Sequence, residues 1–345
     1  MSTNQPLGVG IVGLGFMAAT HIKAWRQIPE ARVAALCNPS GRHLDGDFTG
    51  VAGNVGDNAP VKLEPGTFKA FRDFDTMLAD PSIAIVDLCA PTHAHPALAI
   101  AALRAGKHVL CEKPLARTSA LARDIAAAAA QAKGFFMPAM CLRFWPGWSW
   151  LKETIDAGTY GKPLGARFRR VAEPPGWGHS HFADGAKSGG ALLDLHIHDV
   201  DFLQYCFGRP RAVFATGYTK HTGAIDHVVA QYRFASGLCA HAEGAWCMTP
   251  GFGFSMGYTV NFERATADYD LARGAEALKV FEPGQPARVV KFDGPDGYVN
   301  ELRHFTDAVL TGKPPTVVTV RDAVAAVELC EAEERSVSTG ELVRL

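Results

Sequence analysis

The strongest constraint on this chain sits near its start. Leu7–Val12 is a short apolar run of strand character, and it leads straight into Gly10-Ile-Val-Gly13-Leu-Gly15-Phe-Met-Ala18. Gly13-x-Gly15-x-x-Ala18 is a strand–turn–helix pattern. The first glycine allows a tight turn, the second lets backbone approach a pyrophosphate, and the alanine lets helix pack closely on strand. A helix over 16–27 would then offer the N–H groups and positive dipole end of its first turn to phosphates. Phe16 and Met17 open that helix and belong to the candidate cofactor site. The glycine pattern alone is weak. It gains weight here from the strand before it, the helix after it, and a second strand over 32–37.

The end of that second strand normally carries an acid that holds the ribose 2′-hydroxyl of NAD. This chain has Cys37-Asn38-Pro39-Ser40-Gly41-Arg42 instead. Asn38 is neutral and would not repel a 2′-phosphate, and Ser40 and Arg42 could donate to one. The reading favours NADP over NAD, or a site that takes both. The alternative is Asn38 on the ribose of NAD with Arg42 facing water.

Further along, strands over 84–89, 108–111 and 135–139 alternate with helices over 74–78, 97–105 and 118–133. That alternation predicts βαβ units and a parallel sheet. The stretch 41–66, rich in Gly, Asp, Asn and Pro, reads as an excursion carrying one short helix. After residue 141 the pattern changes. A helix over 148–157, a strand over 166–171, a glycine-rich loop over 173–190 and a helix over 193–207 come first. Seven β-branched or alternating stretches between 213 and 291 follow without helices, which predicts an antiparallel sheet. Helices return over 298–310 and 323–336. The fold class is α/β: a Rossmann dinucleotide-binding domain over 1–141, then an α+β domain over 142–345 with a large open, mostly antiparallel sheet.

Bulk properties exclude several functions. A formal net charge of −1 gives no global field for nucleic acid or an anionic membrane. No apolar stretch reaches the ~18 residues of a membrane-spanning helix. The start lacks a basic segment followed by an apolar one, so the expected location is the cytoplasm. The eight cysteines form no Cys-x-x-Cys pair and sit in apolar contexts, the pattern of reduced, buried thiols.

Candidate chemistry lies in three places. Val109-Leu-Cys-Glu-Lys-Pro114 puts Lys113 straight after a short strand, at the sheet edge where open α/β folds bind ligands. Pro91-Thr-His-Ala-His-Pro96 follows another strand and opens a helix, with a cap by Thr92 as its ordinary structural reading. Asp194-Leu-His-Ile-His198 puts Asp194 and His198 four apart on the predicted helix, hence on one side. A surface lysine and an exposed i,i+4 pair are the plain alternatives. The apolar neighbours Leu192, Leu193, Leu195, Ile197 and Val200 count against free exposure of the second.

Taken together, these strings resemble the Gfo/Idh/MocA oxidoreductases, the family of glucose–fructose oxidoreductase and inositol 2-dehydrogenase. The likeness runs through Gly10–His21, Pro91–His95, Ala105-Gly-Lys-His-Val-Leu-Cys-Glu-Lys-Pro114, Gly189-Gly-Ala-Leu-Leu-Asp-Leu-His-Ile-His-Asp199, Glu301-Leu-Arg-His-Phe305 and Gly312-Lys-Pro-Pro315. It implies an NAD(P)-dependent oxidoreductase acting on a CH–OH group of a sugar, cyclitol or related polyol. It implies His198 as the base for the hydroxyl proton, Lys113 as the group that stabilises the alkoxide or relays the proton, and Asp194 as holder of the imidazole or substrate. It places Thr92 and His95 near a cofactor ribose and Glu112 at the nicotinamide end. In many relatives the peptide bond at the position of Lys113–Pro114 is cis. It also implies a homodimer or homotetramer formed through the open sheet.

The chemistry suits these residue types. Hydride leaves a carbinol carbon readily only as its oxygen loses a proton, and histidine, with a reference pKa of ~6.5, suits that task near neutrality. Substrate contacts are expected from the loop over 177–187 and from Arg143-Phe-Trp145. Trp177 and Trp145 could stack on a sugar face, and His179 and Arg143 could bond hydroxyls or a carboxylate. No metal is expected, although His179, His181 and the His196-x-His198 pair keep a histidine metal site as the competing idea. Two rival functions use the same framework: glycoside cleavage or epimerisation with a transiently oxidised, recycled cofactor, and non-catalytic cofactor sensing.

Overall fold

The computed structural model describes residues 5–51, 53, 59–176 and 179–345; for 179 and 180 only the backbone is described. Packing divides the chain into two compact units, Met1–Cys141 with Pro295–Val324, and Leu142–Gly294 with Ala325–Leu345.

The first unit holds β1 (Leu7–Val12), α1 (Phe16–Trp25), β2 (Ala31–Cys37), β3 (Lys69–Phe71), α2 (Phe74–Leu78), β4 (Ile85–Leu88), α3 (His95–Arg104), β5 (His108–Glu112), α4 (Ser119–Gln131) and β6 (Phe136–Ala139). The strands form one parallel sheet in the order β3-β2-β1-β4-β5-β6. This is the doubly wound order, which reverses direction between β1 and β4. β1 is buried almost throughout, which is why it reads as a continuous apolar run rather than an alternation; β4 is buried throughout as well, with one acid inside it. The Thr118 hydroxyl accepts from the Leu121 N–H at 3.4 Å and starts α4, while the alanine run behind it needs no partner to favour helix.

The excursion between β2 and β3 departs from expectation. Among its described residues there is no helix; an isolated antiparallel bridge, Asp47–Lys62, closes it, and Phe48, Val61 and Leu63 are buried beneath. Burial of these three apolar side chains anchors the segment without a regular element.

The second unit opens with α5 (Pro146–Asp156) and β7 (Pro163–Ala172). Four short or medium helices follow: α6 (His179–Phe182), α7 (Gly185–Ser188), α8 (Gly190–Asp194) and α9 (Ile197–Phe207). Then come β8 (Ala212–Tyr218), β9 (His227–Arg233), β10 (Cys239–Ala245), β11 (Phe254–Phe262), β12 (Thr266–Asp270), β13 (Leu278–Phe281) and β14 (Arg288–Val290). After α10 (Gly297–Thr311), which packs in the first unit, α11 (Val320–Thr339) and β15 (Val343–Arg344) complete the chain.

The nine-stranded sheet runs β14-β13-β12-β11-β7-β10-β9-β8-β15. All neighbours are antiparallel except β7 and β10. β9 alternates strictly between buried and exposed residues, so one face of the sheet meets a core and the other does not. Trp148 sits at the centre of that core, edge-on to Phe202 at 5.0 Å and to Tyr258 at 5.2 Å. On the opposite face Phe214, Tyr218 and Val229 are exposed.

Two sequence expectations need correction. Residues 295–324 pack with the first unit and not the second, because α10 lies against α1. The helix foreseen over 193–207 is two helices, broken at Leu195 and His196.

Candidate active site

At the switch point, Gly13 turns the chain with φ +83°, and a Cβ there would lie 2.5 Å from the Ala90 Cα. Only glycine fits between the ends of β1 and β4. Gly15 is the N-cap of α1, and no side chain caps that helix; a Cβ on Gly15 would meet nothing within 4 Å. Open space in front of an uncapped helix start, reached through a glycine turn, fits a dinucleotide pyrophosphate. Phe16 and Met17 are half-buried in that first turn, and a Cβ on Gly53 would strike the Phe16 ring.

The ribose-end turn is more self-contained than its sequence suggests. Asn38 Nδ2 donates to the Arg42 carbonyl at 2.9 Å, and Asn38 Oδ1 accepts from the Ser40 hydroxyl at 3.0 Å. The Asn38 amide therefore closes its own loop. Sequence reading missed a second cation here. A Cβ on Gly41 would lie 2.5 Å from Arg72 Nη2, so the guanidinium at the end of β3 lies against the same turn as Arg42. The available signal was an arginine directly after a strand, but β3 has three residues and no readable periodicity.

The Lys113–Pro114 peptide is cis. Glu112 Oε2 accepts the Lys113 N–H at 3.1 Å. His95 Nδ1 lies 2.9 Å from the Pro114 carbonyl and Nε2 2.8 Å from the Ala90 carbonyl. The imidazole expected near a ribose is thus buried and braced between two backbone oxygens. Burial pushes the His95 pKa down, against the pull of those carbonyls. Thr92 is buried in a 3-10 turn, and the N-cap of α3 is Ala94, without a side-chain cap, so the capping role foreseen for Thr92 is not realised.

In the second unit, Asp194 closes α8 and is buried, while His198 stands half-buried as the second residue of α9. The backbone between them is not a regular ladder: His196 N bonds Ala191 O at 2.8 Å and His198 N bonds Leu195 O at 3.4 Å. The break follows from His196, which is fully buried. Its Nε2 lies 3.2 Å from Glu333 Oε2, and Tyr232 donates to the other Glu333 oxygen at 2.8 Å. β10 passes so close that a Cβ on Gly244 would be 2.6 Å from the His196 Cβ. Two further buried ion pairs anchor α9, Arg170–Asp199 at 2.8 Å and Arg143–Asp201 at 2.6 Å.

Arg143 is one of these paired residues. Its guanidinium is bidentate on Asp201 and lies 4.3 Å from the Tyr205 ring centroid. Those contacts engage it in the interior of the second unit. Trp145 is the half-buried N-cap of α5. Trp177 lies outside the described residues, as does the side chain of His179. His196 is committed to Glu333, which removes it from the histidine metal idea. Among the described residues, the group with ligand-like spacing is a different one, His21, Asp87 and Cys89. All eight cysteines are thiols.

A doubly wound sheet with a glycine turn at its switch point, alongside a second unit built on a large sheet, is the architecture of a dinucleotide-binding protein. Residues 7–140 match the GFO_IDH_MocA model, an oxidoreductase family with an NAD-binding Rossmann fold, and residues 148–268 match the C-terminal domain of the same family. The chain belongs to the Gfo/Idh/MocA family and is an NAD(P)-dependent oxidoreductase acting on CH–OH groups. It is 27% identical to myo-inositol 2-dehydrogenase of Thermotoga maritima over 98% of both chains. Its fold matches levoglucosan dehydrogenase in complex with NADH and levoglucosan, with TM-score 0.85 and 23% identity over 99% of both chains. It also matches GenD2 from gentamicin A biosynthesis in complex with NAD, with TM-score 0.82 and 26% identity over 100% and 98% of the two chains. Among the described residues no helix is long and apolar enough to cross a membrane.

Proposed function

We propose that this protein interconverts a secondary alcohol and a ketone on a cyclitol, sugar or related polyol, and that Lys113, Asp194 and His198 carry the proton chemistry. The observation that carries the reading is the bracing of Lys113 at the carboxyl end of β5, with Glu112 on its N–H and His95 on the next carbonyl. Open α/β sheets bind ligands at that edge. The nicotinamide, when bound, supplies the hydride acceptor or donor. His198 takes the hydroxyl proton, Lys113 stabilises the negative charge that develops on oxygen, and Asp194 holds the imidazole or the substrate. The end-to-end likeness to a protein named myo-inositol 2-dehydrogenase supports a cyclitol as the first substrate to try.

For the cofactor, Arg42, Arg72 and Ser40 around the ribose-end turn favour acceptance of a 2′-phosphate, so NADP is used at least as well as NAD. The exposed Phe214, Tyr218 and Val229 support self-association through the open sheet as a dimer or tetramer, which light scattering would size.

The test is a spectrophotometric panel of cyclitols and sugars with NAD and NADP. His198→Ala should lower kcat by ~100-fold or more while NADH affinity holds. Arg72→Ala should raise KM for NADP more than for NAD. Wild-type turnover by His198→Ala would overturn the assignment of the base.

A further inference from the structure

Asp87 is a fully buried carboxylate in the middle of β4, and such a charge is costly unless it is paired and hydrogen-bonded. Its partners come from α1. Trp25 Nε1 donates to Oδ2 at 2.8 Å, and His21 Nδ1 lies 3.0 and 2.9 Å from the two carboxylate oxygens. The other side of the imidazole faces a second acid. His21 Nε2 is 3.1 Å from Glu112 Oε1, short in distance but poorly aligned for a hydrogen bond, so the contact is ionic more than directional. The second oxygen of Glu112 accepts the Lys113 N–H. One continuous line therefore runs Trp25, Asp87, His21, Glu112, Lys113, from the helix behind the glycine turn to the lysine at the end of β5.

A carboxylate has no proton to donate. An imidazole facing one on each side can satisfy both only by carrying both of its own protons. Burial opposes that charge, but Asp87, by charge and hydrogen bond, holds His21 well above its ordinary pKa. The other groups facing the cluster add no rival charge from their thiols or phenol. Cys89, 3.5 Å from His21 Nδ1, is pushed up to about 12, first by burial and then by Asp87. Burial also raises the Cys111 thiol and the Tyr298 phenol, whose ring centroid is 6.4 Å from that of His21. Cys141 and Glu301 add to the raising of the Tyr298 phenol by charge.

We propose that His21 is a positioning residue for the reaction: a buried imidazole, protonated on both nitrogens and clamped between Asp87 and Glu112, that fixes Glu112 and through it the placement of Lys113. The inference rests on the reading of Lys113 as catalytic. Asp87 holds the ring, the ring holds Glu112, and Glu112 holds the backbone from which the lysine projects. Cofactor affinity should depend little on this line, whereas turnover should depend strongly on it, because small displacements of a reacting group are costly.

The experiment has three arms. In wild-type protein labelled with 15N-histidine, the resonances that vanish in His21→Gln should report an imidazolium from pH 6 to 8. A neutral ring at pH 7, or stoichiometric metal held at His21, Asp87 and Cys89 in the purified protein, would overturn the clamp. In steady-state assays with myo-inositol or the best substrate of the panel, His21→Gln should lower kcat by ~100-fold, with NADH affinity and substrate KM within about threefold of wild type. Unchanged kcat would overturn the positioning role. Wild-type protein inactive on every substrate would instead count against the functional reading. The third arm then decides: the Lys113 amide resonance should move in His21→Gln, and an unmoved amide would overturn the proposal. Asp87→Asn is the fallback where His21→Gln does not fold, and it should change kcat and the Lys113 amide in the same direction.

Discussion

Asp80 shows how single residues tie this fold to pH. Its carboxylate accepts from Lys69 Nζ at 2.7 Å, from the Ser82 N–H at 2.9 Å and from the Ser82 hydroxyl at 2.7 Å. The Lys69 bond first, then those from Ser82, hold its pKa down at about 2, against a reference of ~3.9 for aspartate. A carboxylate with a lower pKa folded than unfolded stabilises the fold above the unfolded value. That contribution is lost as pH falls through the folded value. Asp80→Asn should therefore lower the thermal midpoint at pH 7, and the gap to wild type should close as pH approaches 2. A gap independent of pH would mean that the residue acts by packing alone. At this scale, the sequence was legible where a side chain's placement depends on its own neighbours. Lys113 at a strand end is such a case, since apolar run, acid, lysine and proline are contiguous. Arg143 is not, because its partner Asp201 lies 58 residues away and no local pattern announces the pair. His21 and Asp87 left only a faint trace: a histidine in an otherwise apolar helix and an acid inside a buried strand.

The elements of the second unit were readable because one face of its sheet is covered and the other is not, which imposes alternation on β8, β9 and β10. β3 and β15, with three and two residues, are too short to show any period. The break between α8 and α9 escaped for a different reason. Residues 193–207 are apolar enough for one helix, and only the tertiary seat of His196 divides it. That seat yields a prediction. A methyl group at Gly244 has no room beside the His196 Cβ, so Gly244→Ala must push the α8–α9 link away from β10. Overpacking of this kind costs about 1–3 kcal/mol, measurable as a lower urea midpoint at unchanged slope. Because His198 follows two residues later, kcat should fall as well. A variant as stable as wild type would show that the link has slack the geometry does not reveal.

For the whole molecule, the sequence suggested two successive domains, and packing gives a first unit assembled from two stretches of chain. The difference is physical. An amphipathic helix such as α10 announces a buried face but not which surface covers it. Here Tyr298, Val299, Leu302 and Phe305 are buried, and α10 lies along α1, whose residues Ile22 and Trp25 are buried too. Burial of each large apolar side chain contributes roughly 1.5–3 kcal/mol, so several such contacts are large against the 5–15 kcal/mol that typically holds a domain. A fragment ending at Cys141 loses all of them and uncovers the helix behind the glycine turn, close to His21. It should melt at a lower temperature and bind a hydrophobic dye. Residues 1–141 joined through a short flexible linker to 295–324 should recover a cooperative transition and NADH binding. Equal stability of the two fragments would show that α10 is an appendage of the first unit, and the division of the chain would then revert to the simple boundary near Cys141.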